Sequence, residues 1–152
     1  MSSTAARPVQ PRGLRALVIA TLVVLAVHGW TGDTVTIFLI PPRPVSPPAQ
    51  TAAGLLGVLQ ALPTPVFAMW HAFEGLALVL LALAVLVLAF AWSRSRGVRV
   101  WAVVGFLAML SAAFGGYEFV RSGFADNASS AQMGGSFIGA FASYFLVLYC
   151  TK

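Results

Sequence analysis

Two histidines and two glutamates stand out because their surroundings are apolar. His28, His71, Glu74 and Glu118 each lie inside or at the edge of a long hydrophobic stretch. An Asp, Lys or Arg at mid-bilayer costs ~2.5–3.5 kcal/mol on insertion scales, so ionisable residues at such positions are functional candidates by default. His71 and Glu74 are spaced i, i+3 and share a helix face, and Gly75 leaves room beside them. Three chemistries would use this set. The first is a b-type haem held by two axial imidazoles, His28 and His71, from different helices. The second is a metal site with His28, His71, Glu74 and Glu118 as nitrogen and oxygen donors, suited to zinc or iron. The third is proton or quinone handling by Glu74 and His71 without a metal. Against all three stands a structural reading, in which the groups lie shallow and hydrogen-bond one another across helices. The cofactor therefore stays open at this point, with haem b as the named candidate.

The elements that must position these residues are four apolar stretches, Leu14–Trp30, Val66–Trp92, Val100–Val120 and Met133–Tyr149. Each approaches the length needed to cross a hydrocarbon core of ~30 Å at ~1.5 Å per residue, the first only with help from its flanks. With 59% hydrophobic and 9% charged residues, the chain cannot supply the charged shell of a soluble domain. The expected fold is all-α, a four-helix transmembrane bundle occupying residues 13–152 after a polar tail at 1–12. Counted from the helix ends, His28, His71, Glu74 and Glu118 fall at one level of that bundle, on three helices.

Charge sets the orientation. Arg7, Arg12 and Arg15 precede the first span, Arg94, Arg96 and Arg99 link the second to the third, and Lys152 follows the fourth. Only Arg43 and Arg121 lie on the other side. The positive-inside rule then makes both termini cytoplasmic and puts the four candidate residues near the outer face. The first stretch also has the Arg-bearing start and apolar core of a signal peptide, but no A-x-A-like site follows it, so an uncleaved helix is expected. The net charge of +5 does not indicate a nucleic-acid partner, because the basic residues flank apolar spans. Cys150 is the only cysteine, which excludes an intrachain disulfide and a cysteine cluster.

The outer link at 31–65 is Pro-rich. Asp33–Ile40 is rich in β-branched residues and reads as a short extended piece, ended by Pro41-Pro42-Arg43-Pro44. Thr51–Leu62 is apolar but too short to span, and reads as an interfacial helix or cap. Asn127, Ser129 and Ser130 are available to cap the fourth span. The four tryptophans fall near span ends and read as interfacial anchors without a ligand role. Gly135, Gly139 and Ser143 form a small-xxx-small stripe, and Ser111 and Gly115 repeat the spacing in the third span. Such stripes serve helix packing within the chain or with a homo-oligomer or larger complex. No internal repeat is evident.

No phosphate-binding loop, nucleophile elbow or paired-histidine helix motif is present, so catalysis by this chain alone is not expected. No span is broken mid-membrane by Pro, which argues against a transporter. The stretch Asp33–Pro41, the segment His71-Ala72-Phe73-Glu74-Gly75, and the run from Gly115-Gly116-Tyr117-Glu118-Phe119 through Asn127–Ser130 to Tyr149 together resemble small four-helix membrane proteins of high-GC bacteria. Those proteins are generally labelled hypothetical. The resemblance implies four spans and marks His71 and Asn127–Met133, but it brings no activity. The expected function is an accessory or scaffold subunit of the bacterial cytoplasmic membrane, with the bilayer as its certain partner. The alternative is electron transfer through haem b on His28 and His71.

Overall fold

The computed structural model describes residues 12–38, Gly54, Gly57 and 65–151. The tail, most of the Pro-rich link and most of the Thr51–Leu62 segment lie outside the described residues. Among the described residues there are four helices: α1 Arg12–Phe38, α2 Pro65–Trp92, α3 Arg96–Arg121 and α4 Asn127–Cys150. All four are long and apolar enough to cross a membrane.

The helices form a ring in which α1 packs on α2 and α4, and α3 packs on α2 and α4. Neighbours run antiparallel. Gly13, at the start of α1, lies against Trp92 at the end of α2, while Gly32 lies against His71. Likewise Gly97 lies against Cys150, and Gly115 against Ser129 and Met133. We call the end of the bundle where α1 finishes and α2 begins the upper end.

A buried stripe on each helix makes the core. In α1 it is Leu14, Val18, Leu22 and Leu25; in α2 it is Leu78, Ala82, Val85 and Ala89. These steps of three and four residues keep one helix face inward. Leu76, Leu80, Leu83, Val87 and Phe90 point outward and are exposed. An apolar surface of that extent is untenable in water and is the surface a bilayer covers.

α1 is longer than its apolar stretch suggests. Thr31–Phe38 is helical, in contrast to the extended piece that its β-branched residues predict. The Thr34 hydroxyl donates to the Trp30 carbonyl at 2.9 Å, and the Thr31 hydroxyl stands 3.0 Å from the His28 carbonyl. Threonine satisfies itself in a helix in this way. Val35 is buried as well. Packing thus overrides the β-branched preference, and the first proline after α1 lies only at position 41. The extra turns give α1 a candidate span of Arg12–Val35, which removes its apparent shortness.

The two short connections are tightly made. Ser95 caps α3 by accepting from the Val98 N–H at 3.5 Å. Arg99 folds back over the end of α2, donating to the Ser93 carbonyl at 2.9 Å, and its guanidinium sits 5.5 Å from the Phe90 ring centroid. A cation there suits the negative end of the helix and its unpaired carbonyls. Between α3 and α4, Gly123 and Phe124 both have φ of 67°, a left-handed pair that reverses the chain. The Phe124 N–H bonds the Phe119 carbonyl at 2.9 Å, and the two rings pack edge to face. α4 is capped by Asp126, not by the Asn127, Ser129 or Ser130 expected from sequence. Its carboxylate accepts from the Ala128 N–H and from the Ser129 hydroxyl. The Ser129 bond in particular holds the Asp126 carboxyl below its usual range.

The small residues divide between two roles. Gly115 lets the α4 backbone approach, since a Cβ there would stand 2.9 Å from the Ser129 carbonyl oxygen. Gly105 accommodates the buried Tyr144 ring in the same manner. Ser143 is buried and bonds the Gly139 carbonyl at 2.7 Å. Ser111 accepts from Ser136 at 2.8 Å across the α3–α4 seam. Gly139 meets only Ala108, at 3.9 Å, and Gly135 meets nothing within 4 Å. The stripe, continuous in sequence, therefore bends away from the seam toward the upper end, where Gly135 faces outward.

Candidate functional site

The upper ends of α1 and α2 carry a polar clasp. His28 and Thr31 come from α1, one turn apart; Trp70, His71 and Glu74 come from α2. The His28 and His71 rings stack with centroids 4.0 Å apart and planes 4° from parallel. The Thr31 hydroxyl lies 2.7 Å from Glu74 Oε2 and 3.1 Å from His71 Nδ1. Glu74 Oε1 accepts from the Trp70 indole N–H at 2.6 Å. Glu74 Oε2 also stands 3.6 Å from His28 Nδ1, an ion pair only when the imidazole is protonated. His28 Nδ1 is buried without a hydrogen-bond partner.

Two glycines make the stack possible. A Cβ at Gly32 would stand 2.9 Å from His71 Cε1, and one at Gly75 would stand 3.4 Å from His28 Cε1. Each imidazole thus lies over a glycine of the opposite helix. The local sequences explain this reciprocity. His28-Gly29-Trp30-Thr31-Gly32 and His71-Ala72-Phe73-Glu74-Gly75 share one pattern: histidine, small, aromatic, polar, glycine. Run antiparallel, the two pentads bring histidine onto glycine twice and set Thr31 beside Glu74. A search for long repeats misses a five-residue pattern, and its meaning needs the pairing of α1 with α2.

One hydroxyl proton cannot serve Glu74, His71 and the His28 carbonyl together, and Glu74 is the nearest of the three. With Glu74 ionised, Thr31 donates to Glu74 and accepts from His71 Nδ1–H. With Glu74 protonated, the carboxyl donates to Thr31, which then donates to His71 Nδ1. The second arrangement follows from the first by adding a proton at His71 Nε2 and passing one from Nδ1 through Thr31 to the carboxylate. The arrangement can thus carry one added proton in either of two places. Below it the inward faces are Leu14, Val18, Leu22, Leu25, Leu78, Ala82 and Val85, all buried. Thr21, also buried there, bonds its own helix at the Leu17 carbonyl. Among the described residues no polar path leads from the clasp down the α1–α2 seam.

Glu118 does not join the clasp. It pairs with Arg121 one turn on, at 2.7 Å, and sits on α3, which does not pack on α1. A shared depth groups it with the histidines in sequence, but depth says nothing about direction around the bundle. The Glu-x-x-Arg spacing is the signal for the pair that forms. Sequence reasoning missed Thr31 and Trp70. Trp70 reads as an anchor only, although its i, i+4 spacing to Glu74 is visible in the sequence.

The haem held as an alternative between His28 and His71 does not fit this arrangement. Two axial imidazoles must aim their nitrogens at one iron from opposite faces of a flat macrocycle. Here the rings touch face to face, and no gap separates them. For a bare metal ion the donor set is suitable. One nitrogen of each ring and one Glu74 oxygen lie within 4.8 Å of one another. Imidazole and carboxylate together suit zinc-class ions and iron.

Comparison with protein-family models, curated proteins and solved structures finds no match. The reading of function therefore rests on the geometry.

Proposed function

We propose that this chain is a small accessory subunit of the bacterial cytoplasmic membrane, with no catalysis of its own, whose outer face carries a proton-holding clasp. The observation that carries the reading is the confinement of His28, Thr31, His71 and Glu74 to one end of an α1–α2 seam whose inward side chains below are apolar. Such a site exchanges protons with one side of the membrane and conducts none across that seam. It also ties α1 to α2 by hydrogen bonds worth about 0.6 kcal/mol each on average between membrane helices. The orientation rests on the seven-to-two division of basic residues, which puts the clasp outside and both termini inside. Greasy outer faces on all four helices supply the surface through which a larger complex would hold the subunit.

One fusion tests the orientation and the accessory role. A fluorescent protein that matures only in the cytoplasm is attached after Lys152, expressed in the native membrane and extracted in mild detergent. The expected result is a fluorescent band on a native gel, migrating well above the monomer. A dark fusion overturns the orientation. A fluorescent band at monomer size overturns the accessory role.

A further inference from the structure

We propose that the clasp is also a binding site for a divalent transition-metal ion of the zinc class, held by His28, His71 and Glu74, and that His28 is the ligand that turns to admit it. The donors are already gathered, within 4.8 Å of one another. Zinc takes nitrogen at ~2.0–2.1 Å and carboxylate oxygen at ~2.0–2.2 Å, so the three donors need only close in. The obstacle is direction. An imidazole lone pair lies in the plane of its ring, and the two ring planes here are parallel and stacked. One ion cannot lie in both planes, so one ring must rotate.

The surroundings select His28. The Nδ1 of His71 is engaged by Thr31 at 3.1 Å, and a contact of that kind orients a metal-binding imidazole through its second nitrogen. His28 Nδ1 has no hydrogen bond to lose and stands 3.6 Å from Glu74 Oε2. The face over which His28 lies is Gly75, which puts no side chain in the way. Protons on the ligating nitrogens leave to solvent as the ion enters. Water completes the coordination, or a residue at position 31. Thr31 occupies the place that Glu74 holds in the matching pentad, so a carboxylate at position 31 would add a second oxygen donor on the α1 side.

The test uses the full chain without a polyhistidine tag, stripped with chelator and reconstituted in lipid nanodiscs. Zinc is titrated against a chromogenic competitor, and cobalt(II) serves as the spectroscopic probe. The expected result is one zinc per chain, and visible cobalt bands of a four-coordinate site. His28→Ala and Glu74→Ala should each weaken zinc by at least the ~10–100-fold that loss of an outer partner already costs. Thr31→Asp should tighten it by a similar factor, which keeps the test decisive if the alanine variants fold poorly. Wild-type protein that takes no zinc overturns the proposal, as does binding that neither His28→Ala nor Thr31→Asp changes. The proposal rests on the clasp as described. If the two imidazoles are shown in contact and zinc still does not bind, the metal site alone is lost and the proton-holding reading stands.

Discussion

Gly115→Ala is expected to destabilise the protein by about 1–3 kcal/mol, the usual cost of overpacking a close contact. The added Cβ would stand 2.9 Å from the Ser129 carbonyl oxygen, 3.0 Å from the Met133 nitrogen and 3.3 Å from its Cα. All three are backbone atoms, so no side chain can rotate to make room. α4 would have to move off α3 along the seam that also carries Gly105, Ser111 and Ser143. Gly135→Ala is the control, because nothing stands within 4 Å of its added methyl. Alanine there should gain helix propensity of up to ~1 kcal/mol instead. Thermal unfolding of both variants in detergent gives the comparison. Equal stability would show that the α3–α4 approach is looser than described.

The second large effect is an asymmetry between the two glycines of the clasp. Gly32→Ala is expected to cost about 1–2 kcal/mol, because its methyl meets the His71 ring at 2.9 Å and displaces it from Thr31 and His28. Gly75→Ala is expected to be tolerated, since its methyl would stand at an ordinary 3.4 Å from His28. The pentads match in sequence, so nothing short of the three-dimensional contact separates the two substitutions. The mechanism is checked by repeating Gly32→Ala in a Thr31→Val background. If the damage runs through the His71–Thr31 bond, the second loss should shrink, as effects at coupled sites do not add. Full additivity would place the harm elsewhere.

Much of the fold is legible in the sequence because membrane spans announce themselves by length and apolarity. The four helices lie where the apolar stretches do, with ends shifted by up to eight residues. The shifts have local causes. Arg96–Arg99 and Asn127–Gln132 are polar but helical, since capping at Ser95 and Asp126 starts α3 and α4 before the apolar run begins. Residues 33–38 read as extended because Val35, Thr36 and Ile37 favour strands, whereas Thr34 can bond within a helix and Val35 packs inward. The core face of α2 cannot be chosen from a run of Leu, Ala and Val. Only contact with α1 and α3 selects Leu78, Ala82, Val85 and Ala89.

The site is half legible. Rarity picks out His28, His71 and Glu74, since ionisable residues are scarce in spans. It also picks out Glu118, which a nearby arginine claims. The two members that complete the clasp are invisible to that criterion. Thr31 is neutral and common, and Trp70 has an ordinary role at span ends. What joins them is the antiparallel register of α1 on α2, which depends on where both helices begin. The shared pentad encodes that register in glycines, and a glycine in a membrane helix carries no mark of which neighbour it faces.

The contact between the two histidines is the central claim, and the chain contains no others. Protein labelled with ¹³C and ¹⁵N in histidine alone, reconstituted in lipid bilayers, therefore gives a solid-state NMR spectrum of two residues. Ring-to-ring cross-peaks between His28 and His71 are expected, lost in His28→Ala and weakened in Gly32→Ala. Two histidine signals with no correlation between them would contradict the contact.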